Sequence, residues 1–153
     1  MTLHFAYGSN MSPKGMAARC PGAEAVGAAI LEGYRFIIMS DGYASVEPAR
    51  GQDVYGIMWR LTPRDLAGLN AYESLQAGLY RRAMLPVLYD RVTLNALVYL
   101  GHTASEGRPR PGYMETVLDA AREWQLPQDY IESLRRWSSG GWQSAPRREI
   151  GEI

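Results

Sequence analysis

The chain begins with a short strand pattern that runs into the stretch Tyr7-Gly8-Ser9-Asn10-Met11. Apolar and polar residues alternate from residue 2 to residue 7, which is typical of a half-buried strand. Ser12 and Pro13 come next, as the N-cap and the first residue of a helix. The stretch therefore joins the end of a strand to the start of a helix, and we expect the fold to be arranged around this junction.

Two interpretations of the junction stay open at the level of local sequence. Backbone N–H groups between a strand and a helix lack ladder partners, and they can converge on a carboxylate or a developing oxyanion with help from the helix dipole. Gly8 would then let the main chain approach a substrate closely. Alternatively, the stretch is an ordinary turn in which Asn10 tolerates a left-handed conformation.

The composition indicates one globular domain that acts on a small molecule. The chain has 153 residues, of which 46% are hydrophobic, and this is enough for a single core. Sixteen basic residues balance sixteen acidic ones, which argues against nonspecific binding to nucleic acid or to an anionic membrane. Cys20 has no second cysteine to pair with, and the start of the chain lacks the layout of a signal peptide. We expect a cytoplasmic monomer or homodimer.

Strand patterns dominate the first two thirds of the chain, and helical patterns dominate the last third. Two apolar runs separated by Glu32-Gly33 predict a hairpin that turns at the glycine. After the first strand, the predicted strands cover 25–31, 34–39, 43–46, 54–61, 79–88 and 92–100, with loops at 48–52 and 89–91. Leu126-Pro127 separates two helices in the last third. The sequence predicts an α+β domain at 1–137, with a mixed or antiparallel sheet that can close into a small barrel flanked by helices, and a C-terminal extension at 138–153.

A second informative stretch ends a predicted helix. Thr62-Pro63-Arg64-Asp65 combines an N-cap, a first-turn proline and an early acid. Glu73 lies seven residues after Leu66 and four after Leu69, which places its carboxyl group on the apolar face of this helix. Burial and the helix dipole would both raise the pKa of that carboxyl, so that it could act as a base and then as an acid near neutral pH. The alternative is that Glu73 ends the helix and turns to solvent.

Other chemistries fit the sequence poorly. Ser9 lies in Gly-Ser-Asn rather than in the Gly-x-Ser-x-Gly elbow of a hydrolase, and His4 and His102 have no spacing that forms a triad. Two histidines and one cysteine, far apart, do not predict a zinc site. His4 is interpreted as an ordinary strand residue. Tyr113 is expected to reach a pocket, because it opens its helix next to a loop.

Three motifs, in this order along the chain, resemble those of the gamma-glutamylcyclotransferase-like family. They are Tyr7-Gly8-Ser9-Asn10-Met11 after the first strand, Glu73 followed by Gly78-Leu79-Tyr80, and Pro111-Gly112-Tyr113 leading to Leu126-Pro127-Gln128-Asp129-Tyr130. The resemblance spans residues 3–137. It implies a small barrel of mixed strands with flanking helices.

The resemblance also implies a reaction. In this family, the free α-amine of a gamma-glutamyl group attacks its own side-chain carbonyl, releases an amine and closes the ring of 5-oxoproline. By the match, Glu73 would handle the protons, the backbone of Gly8, Ser9, Asn10 and Met11 would hold the glutamyl head, and Tyr7 and Tyr113 would line its walls. Neither a metal nor an organic cofactor is implied.

The resemblance leaves the leaving group and an alternative function open. Tyr72 precedes the acid and Ser74-Leu75-Gln76-Ala77 follow it, which departs from the best-studied branches of the family. Members act on gamma-glutamyl amino acids, gamma-glutamyl amines or gamma-glutamyl-protected intermediates. The alternative is a catalytically silent module that binds a small amino-acid-like ligand. A buried carboxylate at Glu73 would repel the carboxylate of such a ligand, which favours the enzyme.

Overall fold

The structure is a computed structural model that describes residues 1–73 and 77–138. Five strands and four helices follow one another in this part of the chain. In chain order they are β1 (Thr2–Ala6), α1 (Pro13–Arg19), β2 (Glu24–Ile38), β3 (Ala44–Leu61), α2 (Pro63–Tyr72), β4 (Tyr80–Tyr89), β5 (Val92–Gly101), α3 (Tyr113–Glu123) and α4 (Gln128–Arg135). The predicted extension at 138–153 lies, except for Ser138, outside the described residues.

The five strands form a closed barrel in the order β1-β3-β2-β4-β5. β1 pairs antiparallel with β3 from Thr2 opposite Leu61, and parallel with β5 where His4 lies opposite Leu97. The other pairings are antiparallel. The predicted α+β class and the predicted mixed barrel are thus confirmed. Because β1 is the strand that closes the barrel, the turn that follows it lies at one end of the barrel.

The predicted hairpin at Gly33 is wrong. The chain continues through Gly33 as one strand, β2, and the predicted strands at 43–46 and 54–61 are likewise one strand, β3. Gly33 has a φ of +79°, and Glu32 pairs with Asp53 while Tyr34 pairs with Pro48. The predicted loop at 48–52 is therefore an irregular part of β3 opposite this glycine, and a bulge of this kind bends a strand without reversing it.

The reversal between β2 and β3 occurs at 40–42 instead. Met39 donates its N–H to the carbonyl of Tyr43 at 2.8 Å, and Gly42 donates to the carbonyl of Met39 at 2.8 Å. The second predicted hairpin is confirmed, with Asp90 and Arg91 at positive φ values of 49° and 67° between β4 and β5. Such a two-residue turn matches the twist of the strands that it joins.

Helix α3 packs against the turn after β1, and α4 packs against α3. Buried apolar side chains of the strands and of these helices form one core. Trp124 follows α3 directly, and its indole Nε1 donates to the carbonyl of Met11 at 2.7 Å. None of the helices in the described ranges has the length and apolarity needed to cross a lipid bilayer.

Candidate active site

Helix α2 delivers Glu73 to the end of the barrel. The helix starts with a capping box, in which Thr62 accepts the N–H of Asp65 at 3.1 Å and the carboxylate of Asp65 accepts the N–H of Thr62 at 3.2 Å. It ends at Tyr72, and Glu73 donates its backbone N–H to the carbonyl of Leu69 at 2.9 Å. The side chain of Glu73 is half-buried, so the alternative in which it turns out to solvent is not what the structure has.

The turn after β1 forms the opposite side of the site. Residues Ser9–Met11 make one turn of 3-10 helix, closed by the N–H of Met11 on the carbonyl of Gly8 at 3.0 Å. Ser12 then caps α1 by accepting the N–H of Gly15 at 3.1 Å, as the sequence predicts. Asn10 does not adopt the left-handed conformation that the ordinary-turn interpretation assigns to it.

Asn10 joins the turn to Glu73. It is 5% exposed, and its Nδ2 donates to Oε2 of Glu73 at 2.9 Å. Its Oδ1 accepts from Nε of Arg19, at the end of α1, at 2.9 Å. The chain Arg19–Asn10–Glu73 therefore fixes the amide so that its donor group faces the carboxylate. A buried amide that is bonded through both its nitrogen and its oxygen is a rigid support for a group that moves protons.

A cleft lies between the turn and Glu73, with about 310 Å³ of empty space. Its walls are formed by His4, Phe5, Ala6, Tyr7, Gly8, Ser9, Asn10, Ala44, Glu73, Tyr80, Tyr99 and Tyr113. Of the site residues that the sequence predicts, the structure thus brings together six: Tyr7, Gly8, Ser9, Asn10, Glu73 and Tyr113.

Met11 is the predicted site residue that the structure turns away from the cleft. Its side chain is completely buried in the core. Its N–H is bonded to Gly8 within the turn, and its carbonyl accepts from Trp124. Met11 therefore holds the turn against α3 and has no polar group directed at the cleft.

Gly8 lines the cleft beside the hydroxyl of Tyr113. Its φ of −119° is not in the left-handed region, and the space beside its Cα is limited. A Cβ at this position would lie 2.9 Å from the hydroxyl oxygen of Tyr113 and 3.4 Å from Cβ of Ala44. Tyr113 in turn accepts the N–H of Ala44 at 3.2 Å, which fixes the hydroxyl beside Gly8.

Burial raises the pKa of Glu73 to about 7, although the charge of Arg19 and the hydrogen bond from Asn10 act in the opposite direction. The predicted direction of the shift is confirmed. A carboxyl group with this pKa is present in both protonation states near neutral pH. It can therefore accept a proton in one step and return it in the next.

The tyrosines around Glu73 are neutral hydroxyls. Burial raises the pKa of Tyr7, Tyr80 and Tyr113 above the ordinary value, with the Glu73 charge as a further cause. The hydroxyl of Tyr7 donates to the carbonyl of Tyr99 at 2.5 Å, and that of Tyr80 to the carbonyl of Ala44 at 2.5 Å. These bonds tie the residue after β1 and the first residue of β4 to the main chain of β5 and β3, which stabilises the cleft wall.

His4 also lines the cleft, although its position in the sequence predicts only an ordinary strand residue. It is 2% exposed, and its Nδ1 lies 3.0 Å from the carbonyl oxygen of Leu97, so Nδ1 carries the hydrogen. Burial lowers the pKa of His4 to about 4, and the ring is neutral at pH 7. Its Nε2 has no hydrogen-bond partner in the part of the chain that the structure describes. The sequence around His4 does not predict this position, because the contact with Leu97 arises only when β1 pairs with β5.

Comparison with known proteins gives a family and several relatives. A model of the AIG2-like family matches residues 53–134, which is more than half of the chain. A gamma-glutamylcyclotransferase from Mus musculus is 27% identical over 144 residues, which cover 87% of this chain and 77% of the relative. A gamma-glutamylcyclotransferase from Homo sapiens is 24% identical over 162 aligned positions, which cover 99% of this chain and 86% of the relative.

A solved structure of a gamma-glutamyl cyclotransferase has the same fold. It superposes with a TM-score of 0.83 at 23% sequence identity, and the alignment covers 99% of this chain and 92% of that structure. The family resemblance that the three sequence motifs indicate is confirmed.

Proposed function

The chain belongs to the AIG2-like family, and on this premise we propose that it is a gamma-glutamylcyclotransferase that converts a gamma-glutamyl amide into 5-oxoproline and a free amine. The observation that carries the proposal is the contact between Glu73 and Asn10. This contact places a carboxyl group with a pKa of about 7 beside the main chain of a turn, in the wall of a cleft.

The proposed reaction is an intramolecular transfer. The α-amine of the glutamyl group attacks the side-chain carbonyl carbon, a new C–N bond closes the five-membered ring, and the original amide C–N bond breaks. Glu73 takes a proton from the α-ammonium group and gives it to the departing nitrogen. One carboxyl group therefore serves as base and then as acid, and neither an external nucleophile nor a cofactor takes part.

The remaining cleft residues bind and orient the substrate. The backbone N–H groups of Gly8, Ser9 and Asn10 are proposed to hold the glutamyl head and the oxyanion, since the N–H of Met11 is already bonded to Gly8. Tyr7 and Tyr113 form the walls around it. The hydroxyl oxygen of Tyr113 accepts from Ala44, so its own proton can be donated to a substrate oxygen. We propose that the protein carries out this reaction in the cytoplasm.

The experiment that tests the proposal is a product assay. The purified protein is incubated with a panel of gamma-glutamyl amino acids and gamma-glutamyl amines, and both products are quantified. We expect 5-oxoproline and the free amine in equal amounts from at least one compound. Binding of such compounds without turnover would support the silent ligand-binding module instead. Release of glutamate in place of 5-oxoproline would show a hydrolase.

A further inference from the structure

A larger depression, which we call the outer groove, adjoins the cleft. It encloses about 800 Å³ of empty space and shares Ser9 and Tyr113 with the cleft wall. A substrate whose glutamyl head fills the cleft can therefore extend its other end past these two residues into the outer groove. In the proposed reaction this other end is the departing amine, so the lining of the outer groove selects the leaving group.

The outer groove is positively charged. Arg19 and Arg110 line it, and its lining within the described ranges contains no acidic residue. Neither Arg19 nor Arg110 forms an ion pair with a residue that the structure describes. No described carboxylate therefore lies within 4.0 Å of either guanidinium. Two cations without a carboxylate in one depression favour an anionic ligand.

The two arginines differ in how far their donors are already used. Arg19 donates through Nε to Asn10 and through Nη2 to the carbonyl of Ser9 at 3.3 Å, and its guanidinium carbon lies 4.0 Å from the ring centroid of Tyr72. It is thus part of the support for Asn10. Toward residues 1–73 and 77–138, the side chain of Arg110 donates through Nε alone, to the carbonyl of Asp41 at 3.0 Å. Its terminal nitrogens are therefore the better candidates for a ligand.

Arg110 is held in a fixed position relative to the cleft. Its backbone N–H donates to the carbonyl of Gly42 at 3.1 Å, and its carbonyl accepts the N–H of Tyr113 at 3.0 Å. Its guanidinium carbon lies 4.8 Å from the ring centroid of Tyr43. The nearby carboxylate of Asp41 binds Nε2 of His102 at 2.7 Å instead of Arg110. A stacked guanidinium with a fixed backbone loses little entropy when it binds a carboxylate.

We infer that Arg110 is a specificity-determining residue whose guanidinium binds the carboxylate of a departing amino acid, so that gamma-glutamyl amino acids are preferred to gamma-glutamyl amines. This inference rests on the proposed cyclotransferase function and adds the class of leaving group to it. Arg110 does not touch the reacting atoms. Its removal should therefore change the choice of substrate and leave the chemistry at Glu73 intact.

The test uses three compounds that differ only in the leaving group: gamma-glutamyl-alanine, gamma-glutamyl-alaninamide and gamma-glutamyl-ethylamide. We expect the kcat/KM of the wild type to be about tenfold higher for the first compound than for the two neutral ones, which corresponds to about 1.4 kcal/mol. Arg110→Gln should lose this preference by lowering kcat/KM for gamma-glutamyl-alanine alone. Arg110→Lys should recover part of it, because the positive charge remains.

The matched control is Arg122→Gln, which removes the same charge from an exposed position on α3 that lines neither depression. It should keep the preference of the wild type. Equal kcat/KM values for the acid and its amide in both the wild type and Arg110→Gln would overturn the inference while the proposed function stands. Absence of 5-oxoproline from all three compounds and from the wider panel would overturn the proposed function, and the inference with it.

Discussion

Replacement of Glu73 by glutamine separates the chemical role of the carboxyl group from its structural role. The two side chains have nearly the same volume, and the amide oxygen of glutamine can still accept the hydrogen bond from Asn10. The variant should therefore fold with an unchanged cleft. What it loses is the ability to exchange a proton.

The difference in stability between the wild type and the variant should depend on pH, because only the wild type has the titrating carboxyl of Glu73. The pKa of this carboxyl is raised from 4.5 to about 7 in the folded chain, so the folded state holds the proton more tightly than the unfolded state. The stabilisation from protonated Glu73 is fully present below pH 4.5 and is lost as pH rises through 7. At about 1.4 kcal/mol for each unit of pKa, this shift corresponds to a loss of about 3 kcal/mol in the free energy of unfolding. Because Glu73 is half-buried and solvent screens its charge, we expect about 2 kcal/mol.

The free energy of unfolding of Glu73→Gln should accordingly be about 2 kcal/mol higher than that of the wild type at pH 8.5. At pH 4.5 the two free energies of unfolding should be nearly equal. Urea denaturation at the two pH values measures this. In the same variant, formation of 5-oxoproline should fall by roughly 10²-fold to 10⁴-fold, the usual contribution of a general acid–base group. For the wild type, kcat/KM should rise with pH through about 7, because the proposed base must be ionised.

Glu123→Gln serves as the control, since Glu123 ends α3, is exposed and lines neither depression. It should change neither turnover nor the pH dependence of stability. Undiminished turnover by Glu73→Gln would remove Glu73 from the mechanism. A difference in stability that is the same at pH 4.5 and pH 8.5 would refute the raised pKa on which the reasoning depends.

The turn and the expected absence of a metal give three further predictions. Gly8→Ala should lose most turnover at a cost of roughly 1 kcal/mol in stability, because the new Cβ would crowd the hydroxyl of Tyr113 at 2.9 Å; full activity with every substrate of the wild type would reduce the stretch to an ordinary turn. Ser9→Ala should keep measurable activity, and intact-mass analysis of the wild type should detect no glutamyl adduct; an inactive variant together with an adduct would establish a serine acyl-transfer mechanism. EDTA should leave activity unchanged, because no three His, Cys, Asp or Glu side chains gather within the described ranges; loss of activity that metal restores would contradict this.

Features decided by neighbours in sequence were predictable. The caps at Ser12 and Thr62 depend on contacts within three residues, and each is formed as predicted. The two-residue turn at Asp90-Arg91 has the same local origin. The interpretation of Gly33 failed because a glycine at positive φ is compatible with both a turn and a bulge, and long-range pairing with β3 decides between them.

The site was predictable as two separate pieces and not as an arrangement. The position of Glu73 on the apolar face of α2 predicts a perturbed carboxyl group, and the turn at Gly8 predicts free main-chain donors. Their connection through Asn10, 63 residues away from Glu73 in sequence, follows from closure of the barrel. The same is true of His4 and Tyr80, which reach the cleft from β1 and β4 and have no local signature.

Turnover in water enriched in ¹⁸O tests the central proposal, intramolecular cyclisation, most directly. The protein is incubated in this solvent with a gamma-glutamyl substrate that it turns over, and the masses of the products are measured by mass spectrometry. Attack by the substrate's own α-amine predicts 5-oxoproline without ¹⁸O from the solvent, because no water enters the reaction. Glutamate that carries one ¹⁸O atom in its side-chain carboxylate would show attack by water and would contradict the account.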